Sequence, residues 1–523
     1  MKRWETIAAG NGLALLAGAL LLAPRSPHQV AKGVLDTGSC RVHFTEYEHA
    51  PATQSGTAII FHGLAANRKL MTPVARWMMG AHLRKTLTVD MPGHGDSAEA
   101  FSFERAERCA AEFVGALVER GDVQLERLAI IGHSTGAGIA IRLADRYDAG
   151  ATVAISPAPL TSVPGPWDSA TPYRLPQRLP GNLLVFIASL DPFPIRRSAA
   201  AWVTRAGGND DSDAAFHERR ALRLSDVPRT THTSLLVDVE VGLESANWVR
   251  RALDGRGVKM VPPAPVAYIF ALLGLMLTFP AAATLTARAA SASGSRGVAS
   301  TSVRASRLTY LIWLAASLIA AVVLKFWVPL RSLRLFGGDY FASFLLIVGV
   351  LGIAGLWKAA RMEAETGQTR RSFAAAAVVA ATALGFAALL AGSAILDWQS
   401  TDVWMNAARW MRFPFLLLAL MPYAVAEEWA LGVPLAGKGA AWRRMFRALA
   451  LRALIWVVML LAFLALRSNQ VLIPLLAVYL ALFSIAQRLG ADAIRRRSGS
   501  VAAAAVFSAI LAAWYIAAVF PLQ

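Results

Sequence analysis

The chain has 523 residues, a formal net charge of +18, 56% hydrophobic residues and only 16% charged ones, with a mean hydropathy of +0.46. That length exceeds the needs of one ordinary domain, and that apolar balance excludes a wholly soluble protein. A basic excess often marks nucleic-acid binding, but no such motif accompanies this one, and much of the charge lies in short loops between apolar runs, where Arg and Lys set membrane orientation.

The chain opens with Lys2-Arg3 and an apolar run from Ile7 to Ala23. No small-x-small cleavage site follows, and Pro24 comes directly after the run. It therefore reads as an uncleaved signal anchor rather than a removed peptide. Residues 1–34 form this anchor and a linker, residues 35–258 a mixed soluble domain, and residues 259–523 a polytopic helical membrane domain, with the composition changing at Val261.

Strand and helix signals alternate in the soluble domain. Apolar runs at Thr57–Phe61, Thr86–Asp90, Leu128–Gly132, Ala151–Ser156 and Leu183–Ala188 read as strands. Helix-like stretches lie around Val74–Met79, Ala106–Glu119, Gly136–Tyr147, Ile195–Val203 and Val237–Leu253. Buried apolar strands separated by helices predict an α/β domain, a mostly parallel sheet covered on both faces. Ligands bind such sheets beyond the carboxyl ends of the strands, which is where the polar signatures fall.

Gly132-His133-Ser134-Thr135-Gly136 is a G-x-S-x-G between an apolar strand and a helix. The strand-to-helix turn is too tight for side chains two residues either side of the serine, and it lifts Ser134 to the tip of the sheet. His62-Gly63 closes an earlier strand. The backbone N–H of Leu64, with that of Thr135, would face a developing oxyanion, a contribution on the order of 3 kcal/mol each. His62 reads as a loop-holding residue rather than a catalytic base.

A serine hydroxyl needs a base that an acid orients. Asp191 follows a late strand, and His232 lies in a later loop ahead of an amphipathic stretch, the chain order Ser…Asp…His. His217 is the rival base but sits in a charged, surface-like stretch. Asp210, Asp211 and Asp213 form a solvent-facing acidic loop with no strand signal before it. Cys40 and Cys109 form no CxxC or His/Cys cluster, so no metal site is expected, and no cofactor motif is present. Two unpaired buried thiols are at least as good a reading as a disulfide.

The succession FHGLAANR, VDMPGHGDS, IIGHSTGAG, AISPAP, LLVFIASLDPF and TTHTS resembles the α/β-hydrolase superfamily over about residues 35–256. The resemblance implies Ser134 as nucleophile, Asp191 as acid and His232 as base. The arrangement looks like bacterial α/β hydrolases carrying C-terminal membrane spans. The segment from Pro157 to Gly181, where the family builds its lid, is short and proline-rich, which implies an open site.

From Val261 onward about eight apolar runs are long enough to cross a bilayer, beginning near Pro265, Leu308, Tyr340, Phe373, Phe413, Phe446, Val471 and Val501. With the N-terminus inside, the inner loops hold about 16 Arg and Lys, among them Arg488 and Arg495, against about 6 outside, among them Arg409 and Arg412. That parity places the soluble domain outside the cytoplasm of a bacterial inner or plasma membrane. Trp398, Trp404, Trp410 and Tyr340 fit interfacial anchors. Glu427-Glu428 faintly resembles the double-Glu motif of intramembrane CAAX-type proteases, but the arginine expected shortly after is absent; these acids mark a span end or pair with a nearby arginine.

Two functions follow. The first is a membrane-anchored esterase or lipase-like serine hydrolase, with an ester or lipid-like substrate and membrane lipids as neighbours; acyl transfer or peptide cleavage would use the same residues. The second is a transporter or membrane scaffold whose outer domain is a non-catalytic binding module.

Overall fold

A computed structural model describes residues 3–22, 30–48, 56–78, 81, 83–158, 179–253, 269–271, 273–275, 277–278, 281, 303–326, 332–365, 375–398, 405–431, 435, 441–466 and 472–523. The lid segment lies mostly outside the described residues, as do the loop before residue 303 and Trp404. The chain divides into two compact units: one of residues 23–265, 396–406 and 521–523, the other of residues 1–22, 266–395 and 407–520.

The first unit is built on eight strands: β1 (Val30–Asp36), β2 (Arg41–Glu48), β3 (Thr57–Phe61), β4 (Lys85–Val89), β5 (Leu128–His133), β6 (Ala151–Ile155), β7 (Leu183–Ala188) and β8 (Leu222–Val227). They lie in the order β1-β2-β4-β3-β5-β6-β7-β8. β2 pairs antiparallel with both β1 and β4, and all the other pairs are parallel. β1 spans residue 35, where the sequence reading starts the soluble domain.

β3, β5, β6 and β7 are buried along their whole length, as parallel strands covered on both faces must be. Around them lie α2 (Thr72–Met78), α3 (Phe103–Glu119), α4 (Thr135–Tyr147), α5 (Phe193–Arg205), α6 (Asp213–His217) and α7 (Val239–Ala252), while α1 (Arg3–Leu22) belongs to the other unit. Because strand side chains alternate, Ile60, Ile131, Val153 and Phe186 meet Trp77 of α2 and Val241 and Trp248 of α7 on one face. Ala154, Leu183 and Val185 meet Ile141 of α4 and Trp202 of α5 on the other. Each such aliphatic side chain contributes about 1.5–3 kcal/mol by leaving water, and together they fix the sheet whose carboxyl edge carries the site. Cys40 and Cys109 are joined in a disulfide with Cα atoms 5.6 Å apart. The pairing, which the sequence left open, arises because the turn between β1 and β2 meets α3 in space despite a sequence separation of 69.

The second unit is helical. Beside α1 it holds α8 (Val303–Phe326), α9 (Gly338–Glu365), α10 (Ala375–Trp398), α11 (Ala407–Ala430), α12 (Ala441–Ala465), α13 (Leu472–Ser498) and α14 (Val501–Val519). Among the described residues, five helical stretches are long and apolar enough to cross a membrane, in α8, α9, α11, α12 and α14. Small residues let these helices close up. A Cβ on Gly349 would stand 2.2 Å from the Tyr423 backbone nitrogen, and Ala424 packs against Ala505 and Ala509.

Several residues read as loop charges or interfacial anchors lie elsewhere. Arg409 is buried in α11 and donates to the carbonyls of Ala517 and Phe520, where a cation meets the negative end of α14. Arg488 is buried in α13. It bonds Glu428, and it lies 3.4 Å from Glu427 and 3.3 Å from Asp492. Tyr340 is buried rather than interfacial, its ring centroid 6.1 Å from that of Phe344. α11 starts at Ala407 and α12 at Ala441, each earlier than the apolar runs near Phe413 and Phe446 announce.

Candidate active site

Ser134 stands between β5 and α4 with φ 54° and ψ −117°, a conformation that costs energy and is held only by its surroundings. The neighbours explain how. A Cβ on Gly132 would lie 2.1 Å from the Gly136 oxygen, and one on Gly136 would lie 2.4 Å from both the Phe61 and His62 oxygens. Only glycine fits at either position, so the residue types on both sides of Ser134 create the turn. The Ser134 N–H donates to Ile155 O at 2.9 Å and its carbonyl accepts from Ala158 N at 3.1 Å, tying the elbow to the end of β6.

The next two strands supply the remaining groups. Asp191 follows β7, and His232 follows β8. The His232 Nδ1–H donates to Asp191 Oδ1 at 2.7 Å, which leaves Nε2 as the basic nitrogen. Asp191 Oδ2 also accepts from Ser156 Oγ at 2.6 Å and Ala188 N at 2.8 Å. Burial works against the charge on Asp191, but the hydrogen bond and charge of His232, then Ser156 and Ala188, hold its carboxyl below the usual carboxylate range. His217, the rival base, is exposed on α6. Asp210, Asp211 and Asp213 pair with Arg220, Arg223 and Arg251 on the surface.

The loop after β3 abuts the elbow. A Cβ on Gly63 would stand 2.9 Å from both Ser134 Cβ and His133 Nδ1, so Gly63 lets the Leu64 peptide approach the serine. Thr135 is the first residue of α4, where a backbone N–H has no partner within the helix. His62 Nε2 accepts from Met91 N at 3.0 Å, while its Nδ1–H donates to Gly63 O at 2.7 Å. Both ring nitrogens are engaged, and complete burial pushes the ring's pKa down, so His62 is a neutral strut.

Ser156 and His94 escaped the sequence reading, and His133, which it placed in the serine motif, gains a contact of its own. Ser156 touches both partners, lying 2.8 Å from His232 Nδ1 as well as bonding Asp191. His133 donates from Nε2 to the His232 carbonyl at 2.9 Å; burial, then the nearby His232, push its pKa down to about 3. His94 Nε2 accepts from Ala65 N at 3.3 Å, holding the loop after β3 where Ala65 has φ 58°. Beneath that loop, Arg68 bonds the buried Asp90 and reaches Asp96 at 2.6 Å. His133 and His94 lie inside motifs already picked out. Ser156 ends an ordinary apolar strand and carries no sequence signal.

Among the described residues, the one trio of His, Cys, Asp or Glu near enough to share a metal is Cys40, Glu99 and Cys109. Its two sulfurs are spent in the disulfide.

Residues 58–296 match the model of the alpha/beta hydrolase family. No curated protein matches the chain. Among solved structures, an esterase from Pyrobaculum calidifontis is similar at 16% identity over 47% of this chain and 92% of that one, with a TM-score of 0.35. An alpha-beta serine hydrolase homologue from Coxiella burnetii is similar at 13% identity over 43% and 97%, with a TM-score of 0.33. A serine hydrolase without lid from Xanthomonas campestris is similar at 16% identity over 44% and 95%, with a TM-score of 0.32.

Proposed function

We propose, from the premise that this chain carries an α/β-hydrolase fold beside membrane-capable helices, that it is a membrane-anchored serine hydrolase acting on ester or acyl substrates. One observation carries the reading: the Asp191–His232 pair at 2.7 Å, on the same sheet edge as the strained Ser134 elbow. Ser134 Oγ attacks the acyl carbonyl while His232 Nε2 takes its proton. The carbonyl oxygen, now negative, faces the N–H groups of Leu64 and Thr135. The tetrahedral adduct collapses, His232 returns the proton to the leaving alcohol, and an acyl-Ser134 remains. Water then repeats the sequence with His232 as base and releases the acid. Asp191 fixes the tautomer of His232 and offsets the imidazolium charge.

The domain faces the extracytoplasmic side. The loop-charge asymmetry supports this, less Arg488, whose charge is spent inside the bundle. The Cys40–Cys109 disulfide supports it independently, since disulfides persist in oxidising compartments. Anchoring keeps the site near the bilayer, so lipid and lipid-linked esters are the substrate class to screen.

The test is labelling of the detergent-purified chain with a fluorophosphonate probe. Labelling lost in both Ser134→Ala and His232→Ala supports the reading. A folded wild-type protein that takes no label would favour a non-catalytic binding domain on a transporter or scaffold.

A further inference from the structure

The helical unit contains an open-mouthed pocket between α9, α11, α12, α13 and α14. Its walls are apolar and its floor is polar. Phe341 and Trp456 line one wall with ring centroids 5.5 Å apart, and Phe483 and Tyr515 another at 4.8 Å. Tyr423, Glu427, Arg452, Gln487 and Ser508 make the floor.

The floor is charged but balanced. Arg452 grips Glu427 with two parallel bonds, Nε to Oε1 at 2.6 Å and Nη2 to Oε2 at 2.7 Å. Its Nη1 donates to Ser484 O at 3.0 Å and Gln487 Oε1 at 2.8 Å. Tyr423 donates to Glu427 Oε1 at 3.3 Å. The guanidinium is therefore engaged on all three nitrogens, with no free positive face for an anion, and a second carboxylate would meet Glu427.

One group on this floor is left over. Ser508 is 3% exposed, and among the described residues its hydroxyl has no hydrogen-bond partner. Buried helical hydroxyls normally fold back onto their own helix, as Ser317 does onto Trp313 O at 2.7 Å and Thr382 onto Val378 O at 2.9 Å. Ser508 departs from this pattern, while its own carbonyl accepts from Gln487. A buried polar group without a partner asks for one.

We propose that this cavity binds a neutral single-chain lipid, its hydrocarbon lying between the two aromatic walls and its oxygen head, a hydroxyl or ester carbonyl, bonded to Ser508. The apolar walls select a chain and the single unspent hydroxyl selects an oxygen head. The Glu427–Arg452 balance selects against a charged head. The site uses the helical unit alone, so it stands whether or not Ser134 is a nucleophile.

The test uses the full chain in nanodiscs and a photoreactive, alkyne-tagged long-chain alcohol, with labelled peptides mapped by mass spectrometry. Label should concentrate on peptides carrying Phe341, Trp456, Phe483 and Tyr515. Ala512→Phe, which fills the cavity, should lower that labelling at least tenfold. Ser508→Ala, which removes one oxygen, should weaken binding by about fivefold, the scale of one hydrogen bond. Competition by the untagged alcohol but not by a fatty-acid methyl ester identifies a hydroxyl head; competition by both admits an ester. Label spread evenly over the outward faces of the helices and indifferent to both substitutions overturns the proposal. So does a fatty-acid anion that competes best.

Discussion

The Ser156 hydroxyl donates to Asp191 Oδ2 at 2.6 Å, so the carboxylate that orients His232 is itself held by a serine from the neighbouring strand. Ser156 also has φ 45°, a conformation imposed where β6 ends and its N–H meets Phe186 O at 2.8 Å. Alanine tolerates that backbone as well as serine does, so Ser156→Ala removes the hydroxyl alone. Asp191 should lose one of the bonds that keep its carboxyl low. The acid limb of the kcat/KM profile should then move to higher pH, with a loss of about 10- to 150-fold at most at neutral pH, one hydrogen bond to a charged group being worth roughly 1.5–3 kcal/mol. Asp191→Asn should cost about 10⁴-fold, because it leaves the imidazole in the wrong tautomer. Equal losses in the two variants would show that Ser156 acts as more than a support.

Gly63→Ala tests the loop after β3. The added methyl would stand 2.9 Å from Ser134 Cβ and from His133 Nδ1, closer than carbon and nitrogen atoms approach. The loop must retreat, carrying the Leu64 N–H away from the oxyanion. Removing one such donor costs about 10²–10³-fold in kcat. The expected result is a kcat loss of that order with KM little changed and fluorophosphonate labelling slowed. A methyl accepted with full activity would remove Leu64 from its assigned role.

The inner strands were legible because their physics is one-dimensional. β3 and β7 run Thr57–Phe61 and Leu183–Ala188, the limits their apolar runs announce. β1, β2 and β8 were not read. β2 mixes buried positions with half-buried and exposed ones, and β8 is an edge strand with only its ends buried, so neither presents an apolar run. The same limit applies to the site. The G-x-S-x-G turn is local and could be read. Ser156 gains its role only from Asp191, 35 residues away, and Glu427 finds Arg452 across 25 residues.

Acid should destabilise the hydrolase unit well above the carboxylate range. His133 has a free value of 6.5 and is pushed down to about 3 by burial and by His232; His62 is pushed down by burial. Both are bases that the folded state keeps neutral. Their contribution is fully present above pH 6.5 and is lost as pH falls from there, because the unfolded chain binds the protons first. For His133 alone the loss should reach roughly 2–3 kcal/mol by pH 4.5. Asp191, held low, adds its own loss only below its usual range. Thermal melting of the full chain from pH 7.5 to 4 should show the midpoint falling below pH 6.5, and His133→Gln should flatten that fall. A midpoint that holds steady until pH 4 would refute this account.

The disulfide closes a loop across 69 residues of sequence, a span for which cross-linking stabilises by about 4 kcal/mol through the unfolded state. Cys40→Ser should lower stability by about 2–4 kcal/mol and raise protease sensitivity of the α/β unit. Neither cysteine borders the Ser134 elbow or the strands β7 and β8 that precede Asp191 and His232, so the remaining folded fraction should keep its specific activity. Free thiols in the protein isolated under alkylating conditions would remove this support for an extracytoplasmic location.

The Glu427–Arg452 pair separates two consequences of burying charge. Both side chains are almost wholly inside the helical unit, and both guanidinium-to-carboxylate bonds are short, at 2.6 and 2.7 Å. Removing one partner strands the other as an uncompensated charge, a cost of about 3–5 kcal/mol. Arg452→Met alone should therefore sharply lower the yield of folded protein, and Glu427→Gln should do so less, because Arg488 then keeps Glu428 and Asp492 as partners while Arg452 keeps Ser484 and Gln487. The double variant Glu427→Gln, Arg452→Met should recover much of the loss, since replacing a buried ion pair by neutral groups of similar volume is often close to neutral. The measure is the fraction surviving size-exclusion chromatography in detergent across the double-mutant cycle. If the double variant is as poor as Arg452→Met alone, the pair is not what holds α11 to α12, and the bonds from Arg452 to α13 must carry that junction.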